Sequence, residues 1–253
     1  MNWGAVDFSI LGPALITGLL VSATHVPLGQ RVLQRGIIFL DLAVAQVAGL
    51  GIIAAYSFNW EPGSWLVQLV AMSAAILGVL ILSYTEKHWP DIQEAIIGSL
   101  FVLASSGSIL LLASNPHGGE QLKELLVGQI LWVSYDQLLP VLILYLAVLV
   151  MWFGVSQRAS SIQFYILFAL SITASVQLVG VYLVFASLIL PALAIRNLRK
   201  HKLATGYLIS SSGYLAGLIF AAIFDLPAGA MIVYSLAIMA ALIGWVLIKK
   251  QKT

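Results

Sequence analysis

Residues 159–195 read ASSIQFYILFALSITASVQLVGVYLVFASLILPALAI, a run of 37 residues without a single Asp, Glu, Lys or Arg. A helix needs about 20 apolar residues to cross the hydrocarbon core of a bilayer. The run is therefore long enough to cross twice. It ends in the basic cluster Arg196, Arg199, Lys200 and Lys202. This stretch predicts an integral membrane protein with a charged connection on one side.

Apolar runs of similar character fill most of the remaining chain. The composition agrees, with 61% hydrophobic residues, 9% charged residues and a mean hydropathy of +1.02, whereas a soluble domain carries about 25% charged residues. The polar connections between the runs are too short to fold alone, so the sequence predicts one membrane domain over residues 1–253. The other runs span residues 8–29, 37–57, 63–85, 95–114, 137–157, 203–224 and 226–248.

The distribution of Lys and Arg predicts the orientation of these segments. If the long run is divided near Gln177–Gly180, there are nine segments with the N-terminus outside and the C-terminus in the cytoplasm. The cytoplasmic connections then hold 11 of the 12 basic residues, and only Lys123 lies outside. An undivided run gives eight segments and at best an 8-to-4 division. The predicted fold class is an all-α polytopic bundle of about 8–9 transmembrane helices, with nine preferred.

Two ionisable residues lie inside apolar segments, where each costs several kcal/mol unless it is solvated or paired. Asp41 lies about one turn into the second segment, and His25 lies near the inner end of the first. Either residue lines a path for a cation or faces the cytoplasmic boundary. In the second case Asp41 pairs with Arg35 or Arg31.

Polar residues also mark the segment ends. Asp91 and Glu94 open the fourth segment, where carboxylates favour a helix N-terminus. On the outer side, His117 and Glu120 flank a predicted glycine turn that either meets a cation or is a plain polar loop. The chain has no cysteine, so oxygen and imidazole are the ligands left for any metal.

The chain has no Gly-rich phosphate loop ending in Gly-Lys-Ser/Thr, so it does not bind a nucleotide by that motif. Energy for any transport therefore comes from a partner or an ion gradient. Small residues at Gly213/Gly217 and Ala45/Gly49 predict close approach of helices. Pro191 is predicted to stop a helix, and the piece from Ala192 to Lys202 places four positive charges at the cytoplasmic face. These charges either anchor the chain or form a docking segment.

Four stretches, in this order and spacing, carry a resemblance to a known family. They are RGIIFLDLAVAQVAGLG at residues 35–51, EAIIG at 94–98, VGVYLVFASLILPALA at 179–194 and FDLPAGAMIV at 224–233. Together they resemble the permease subunits of bacterial ABC importers for zinc and manganese.

The resemblance implies a permease of the type II ABC importer kind, paired as a homodimer in the bacterial inner membrane. The chain is then a transport subunit and not an enzyme, and it holds no permanent cofactor, since zinc or manganese is the cargo. Implied partners are a cytoplasmic ATP-binding subunit, an extracytoplasmic metal-binding protein and the lipid bilayer, with no nucleic acid. The resemblance also makes Pro191, Arg196, Arg199 and Lys200 the segment that couples to the ATPase.

The motif of the second segment departs from the family pattern. Where the family has an aspartate followed by a histidine, this chain has Gln46 at the position of the histidine, five residues after Asp41. Five residues advance a helix by about 500°, so the two side chains point about 140° apart. The expected metal path is Asp41 and Gln46, with His25, His117 and Glu120 as further stations. Oxygen ligands favour manganese, or a transient path for zinc.

Two other classes of protein remain as alternatives. A secondary transporter or cation channel driven by an ion gradient would show inverted repeats and carboxylates near the bilayer midplane. The sequence shows no clear repeat, and its acidic residues lie mostly at segment ends. A scaffold or membrane enzyme is the third class, but no cluster of His, Ser and carboxylate has catalytic spacing.

The division of basic residues predicts which side of the membrane each end occupies. A cysteine replacing Lys252 should resist an impermeant thiol reagent in intact cells, because the C-terminus is cytoplasmic. A cysteine replacing Gly118 should react. Labelling of the Lys252→Cys variant in intact cells would refute the nine-segment arrangement.

Overall fold

The computed structural model describes residues 8–58, 60, 64–113, 118–155, 161–198 and 200–251. Over these residues the secondary structure consists of helices, and no strand is present. Single 3₁₀ turns cover Pro90–Ile92 and Ile130–Trp132. The α-helices are α1 Phe8–Arg35, α2 Leu40–Ser57, α3 Trp65–His88, α4 Gln93–Leu112, α5 Gly118–Val127, α6 Tyr135–Val155, α7 Ser161–Val179, α8 Val181–Ile195, α9 Lys202–Phe224 and α10 Ala228–Gln251.

Seven of the described helices, α1, α3, α4, α6, α7, α9 and α10, are long and apolar enough to cross a membrane. The apolar helices α2 and α8 are shorter. At 1.5 Å per residue, α8 is about 22 Å long, which is less than the roughly 30 Å hydrocarbon core. These nine helices follow the order of the nine predicted segments. The predicted all-α polytopic fold is confirmed.

The long apolar run of residues 159–195 contains two helices, as predicted. Helix α7 ends at Val179 and α8 begins at Val181, and Gly180 between them has φ 79°. A Cβ atom on Gly180 would lie 2.7 Å from the Cα of Gly128, which itself has φ 71°. Because the two backbones touch and both φ angles favour glycine, the position of the break is fixed by glycine.

Aromatic side chains mark both ends of α3. Trp65 begins the helix and Trp89 follows its last residue, and they are 68% and 52% exposed. Trp and Tyr prefer the two membrane–water interfaces, where their rings are apolar and their N–H or O–H group meets water. The 24 residues of α3 span about 36 Å, which fits a crossing between two interfaces.

The chain divides into two compact units, and the prediction of a single domain stays a prediction. The first unit comprises Met1–Arg35, Val127–Tyr145 and Leu178–Thr253, and the second comprises Gly36–Leu126 and Leu146–Gln177. The core of the first unit is formed by α1, α8, α9 and α10. Within it, Ser187 of α8 and Tyr214 of α9 share a buried hydroxyl–hydroxyl hydrogen bond of 2.7 Å.

Glycines allow α9 and α10 to pack backbone against backbone. A Cβ on Gly213 would lie 2.9 Å from the Cα of Leu236, and one on Gly217 would lie 2.8 Å from the amide nitrogen of Ile232. Real Cβ atoms do not approach so closely, so these helices need glycine at both positions. The close approach predicted from the Gly213/Gly217 spacing is confirmed.

In the second unit, α2 packs against α3 and α4. Here the glycine that allows the close approach is Gly51, whose Cβ would lie 3.1 Å from the carbonyl oxygen of Val70. The Ala45/Gly49 spacing is therefore not where α2 and α3 meet, because Gly49 faces only the side chain of Leu125, at 3.6 Å. Both faces of α2 are buried, so spacing alone could not tell which face meets α3.

The turn between α3 and α4 is held by side-chain hydrogen bonds. Buried Gln93, the first residue of α4, accepts a hydrogen bond from the Thr85 hydroxyl at 2.9 Å. Its side-chain amide donates to the carbonyl oxygen of Leu82, also at 2.9 Å. Because Leu82 lies in the last turns of α3, these bonds fix where α4 begins and hence where Glu94 lies.

The contact between α9 and α10 predicts a steric requirement at Gly217. Changing Gly217→Ala should lower the free energy of unfolding by about 1–3 kcal/mol, because the added methyl group overlaps the backbone at Ile232. The change should be measured as a lower melting temperature of the purified protein. Gly98→Ala is the matched control, since its added Cβ has no neighbour within 4 Å among the described residues beyond its own helix turns. Equal melting temperatures for the two variants would contradict the packing.

Candidate metal-path and coupling residues

Asp41 lies in the first turn of α2 and is only 1% exposed. Neither of its carboxylate oxygens has a hydrogen-bond partner within the described part of the chain. The pairing with Arg35 or Arg31, which the sequence left open, is thus not observed as a hydrogen bond. An unpaired carboxylate in an apolar interior is costly, so this side chain needs a cation, a proton or water from outside the chain.

Gln46 is on the same helix as Asp41 and is 6% exposed. The two positions differ by about 140° around the helix axis, as the sequence predicts. Both are nevertheless buried, because α3 and α4 pack on α2, and Leu125 of α5 packs against its later turns. Asp41 and Gln46 therefore do not form a two-ligand site by themselves, although both lie inside the protein.

The N-terminal end of α2 receives a second carboxylate, from α4. The backbone N–H of Phe39, the N-cap residue of α2, donates to Oε1 of Glu94 at 3.4 Å. Phe39 has no side-chain acceptor with which to cap the helix, so Glu94 supplies one from another helix. The other oxygen of Glu94, Oε2, is buried and has no hydrogen-bond partner among the described residues.

The sequence placed Glu94 at a helix start but did not connect it to α2. That connection depends on the turn between α3 and α4, which is held by Gln93. In the sequence, Glu94 simply follows the glutamine that starts α4, and nothing in this pattern indicates which distant residue Glu94 contacts. The contact could be found only from the tertiary structure.

His25 is fully buried in α1. Its Nδ1 atom is 3.1 Å from the hydroxyl of Thr24, and its Nε2 atom has no hydrogen-bond partner in the described ranges. The imidazole does not face solvent, in contrast to the boundary placement that the sequence left open. Nε2 is therefore a buried ring nitrogen that no described residue satisfies.

His117 and Glu120, which the sequence predicts to lie outside, differ in what the structure describes. Glu120 is exposed in the first turn of α5, and His117 lies outside the described residues. The predicted glycine turn is wrong from Gly118 onward, because Gly118 and Gly119 begin helix α5. The reason is that Leu122, Leu125 and Leu126 follow at helical spacing, and Leu125 packs on the second unit's core.

Pro191 does not stop its helix, and that prediction is wrong. It is buried inside α8, which continues to Ile195. Proline removes one backbone hydrogen bond, to the carbonyl of Ser187, and neighbouring helices in a membrane protein tolerate this loss. The connection to α9 therefore starts about one turn after Pro191.

The basic residues predicted to couple the chain to an ATPase lie in this connection. Arg196 directly follows α8 and is exposed, and Lys200 is also exposed. Arg199 lies outside the described residues. The ammonium group of Lys202 donates to the carbonyl oxygen of Arg196 at 3.0 Å, which closes the end of α8. Arg196 and Lys200 thus lie in the short connection between α8 and α9, and Pro191 lies in α8 about one turn before it.

In the described part of the chain, no group of three or more His, Asp or Glu side chains lies close enough to hold a metal ion. Buried side-chain atoms without a hydrogen-bond partner among the described residues occur at Asp41, Glu94 and His25, among others.

Comparison with known proteins finds two relatives that are both named as membrane proteins of metal transport or uptake systems. The chain is 24% identical over 250 residues to the manganese transport system membrane protein MntC of Halalkalibacterium halodurans, covering 90% of this chain and 84% of that protein. It is 24% identical over 248 residues to the high-affinity zinc uptake system membrane protein ZnuB of Haemophilus influenzae, covering 89% and 93%.

A solved structure shares the fold. It is PsaBC from Streptococcus pneumoniae in complex with Fab, with a TM-score of 0.76 and 20% identity, covering 95% of this chain and 92% of that chain. Residues 7–157 and 151–247, which together make up nearly the whole sequence, match the ABC 3 transport family. The chain therefore belongs to the ABC 3 transport family.

Proposed function

We propose that this chain is the membrane-spanning permease subunit of an ABC importer for a divalent metal ion, zinc or manganese. The observation that carries the proposal is Asp41, a buried carboxylate without a hydrogen-bond partner in the described residues of an apolar bundle. Family membership and relatives named for manganese and zinc transport support the same cargo. ATP is hydrolysed by a separate chain, since this sequence lacks the phosphate loop.

Asp41 is proposed as the main station on the metal path. A divalent cation passing α2 would compensate the carboxylate that no described residue neutralises. Gln46, His25, His117 and Glu120 are proposed as weaker neutral or acidic stations. Weak stations allow release, because a permanent site with many protein ligands would retain the ion.

The connection after α8 is proposed as the coupling segment. Pro191, Arg196, Arg199 and Lys200 would dock in a groove of the ATP-binding subunit, and the exposure of Arg196 and Lys200 supports this. When ATP binding closes the ATP-binding subunits on each other, α8 would move, and the metal path would switch between outward and inward access. The importer is completed by a second copy of this chain and an extracytoplasmic metal-binding protein. It lies in the bacterial inner membrane, with the N-terminus outside and the C-terminus cytoplasmic.

The metal path predicts loss of transport when the charge of Asp41 is removed. Asp41→Asn keeps the shape of the side chain, so membrane insertion and ATPase binding should be retained while uptake of zinc and manganese falls to background. Uptake should be measured with radioactive zinc and manganese in cells that depend on this importer. Asp225→Asn is the matched control, because Asp225 is exposed and has φ 53°, which asparagine adopts readily.

Wild-type uptake of both metals by the Asp41→Asn variant would return Asp41 to a structural role. The wild-type importer is the reference in the same cells. If the wild type itself takes up neither metal, the proposed function is wrong as a whole.

The coupling segment predicts a defect at the cytoplasmic face. Reversing Arg196→Glu and Arg199→Glu together should release the ATP-binding subunit or uncouple ATP hydrolysis from uptake, because like charges at a docking groove cost several kcal/mol. Co-purification of the two subunits and ATP hydrolysis per metal transported are the measurements. Lys249→Glu with Lys250→Glu reverses the same number of charges and is the control. A double variant that binds its ATPase and transports normally would exclude the assignment.

A further inference from the structure

Three carboxylate oxygens without hydrogen-bond partners belong to residues at the N-terminal end of α2. They are Oδ1 and Oδ2 of Asp41 and Oε2 of Glu94, and all three are buried. None of the three oxygens has a hydrogen-bond partner among the residues that the structure describes. Most buried polar atoms in proteins are hydrogen-bonded, and these three are the carboxylate oxygens among the described buried atoms that lack a partner.

Glu94 reaches the same end of α2 that carries Asp41. Oε1 of Glu94 lies 3.4 Å from the amide nitrogen of Phe39, two residues before Asp41. Helix geometry puts the Cα atoms of residues two apart at about 5.4 Å. Side chains in a helix lean toward its N-terminus, so Asp41 leans toward the turn that Glu94 touches.

Helix capping explains only part of this arrangement. A carboxylate at a helix N-terminus is favourable, and one oxygen of Glu94 serves that purpose. The hydrogen bond to Phe39 is long, and capping accounts neither for Oε2 of Glu94 nor for either oxygen of Asp41. Two carboxylates at one helix end repel each other unless a proton or a cation neutralises them. A divalent cation would neutralise both of them.

We propose that Glu94 and Asp41 together form a two-carboxylate station for the transported ion, at the N-terminal end of α2. The inference rests on the proposed function and adds Glu94 as a residue that contacts the cargo. The ion would be held by carboxylate oxygens and water, and the N–H of Phe39 would keep Glu94 oriented. Two carboxylates match the double charge of the cation without enclosing it.

The ligand set also indicates which metal suits the station. Carboxylate and water oxygens are hard ligands that suit Mn²⁺, whereas Zn²⁺ in closed sites takes imidazole or thiolate. The second unit supplies no described cluster of three ligands that would include a histidine. The station therefore favours Mn²⁺ over Zn²⁺.

The test separates the charge of Glu94 from its hydrogen bond. Glu94→Gln keeps an oxygen that accepts the N–H of Phe39 but loses the charge, and Glu94→Leu loses both. Uptake of radioactive manganese should be measured in cells carrying the complete importer. We expect the Glu94→Gln variant to lose about 10- to 100-fold in the apparent affinity for manganese uptake, as for loss of a metal-site interaction. Asp91→Asn, which removes an exposed carboxylate three residues away, should transport normally.

A second readout does not depend on transport. Mn²⁺ alone, added to the purified permease–ATPase complex, should raise the melting temperature of the wild type, because a ligand that binds the folded state stabilises it. The Glu94→Gln complex should show no such rise. If Glu94→Gln does not assemble, Glu94→Asp and Glu94→Asn repeat the same charge comparison with a side chain shorter by one methylene group.

Each outcome decides the inference. Normal manganese uptake and a normal Mn²⁺ effect on melting in the Glu94→Gln variant, with loss only in Glu94→Leu, would show that Glu94 is a helix cap alone. Loss of zinc uptake without loss of manganese uptake would overturn the preference for Mn²⁺. Failure of the wild type to import either metal would instead refute the proposed function, so the two failures are distinguishable.

Discussion

The absence of water inside a bilayer is the constraint on which this structure depends. Every backbone N–H and C=O in the apolar runs must be satisfied within the chain, and helices satisfy them within one segment. The described chain is accordingly helical, with breaks at special residues. Gly180 allows the break between α7 and α8 because its backbone packs directly on Gly128. At Pro191 one hydrogen bond is lost, and α8 nevertheless continues.

The same constraint applies to buried polar side chains, because each one without a hydrogen-bond partner costs free energy. The hydroxyl of Ser187, for example, bonds to the carbonyl of Leu183 in its own helix and to the hydroxyl of Tyr214 in a neighbouring helix. A carboxylate has more acceptor sites than such donors fill. Asp41 and Glu94 are carboxylates with buried oxygens that lack a hydrogen-bond partner in the described residues, and a transported cation would match their charge.

Several local predictions failed for one reason, which is that the sequence does not show what covers a segment. Gly118 and Gly119 are typical of a turn but begin α5, because the leucines that follow them find an apolar surface. Pro191 is typical of a helix end but is enclosed by neighbouring helices of the first unit. Gly49 has the expected spacing and faces the side chain of Leu125 in α5, whereas Gly51 makes the close approach to α3. In each case packing partners outweigh local preference.

The sequence by itself determined the fold class, the number and order of the apolar helices, the break near Gly180 and the family, because hydrophobic length and glycine placement are local properties. It also singled out Asp41, since a carboxylate within an apolar run is visible without coordinates. Only the tertiary structure decided that Asp41 has no hydrogen-bond partner in the described chain and that Glu94 reaches the start of α2. The second of these facts joins residues 55 positions apart, and both depend on how the helices pack.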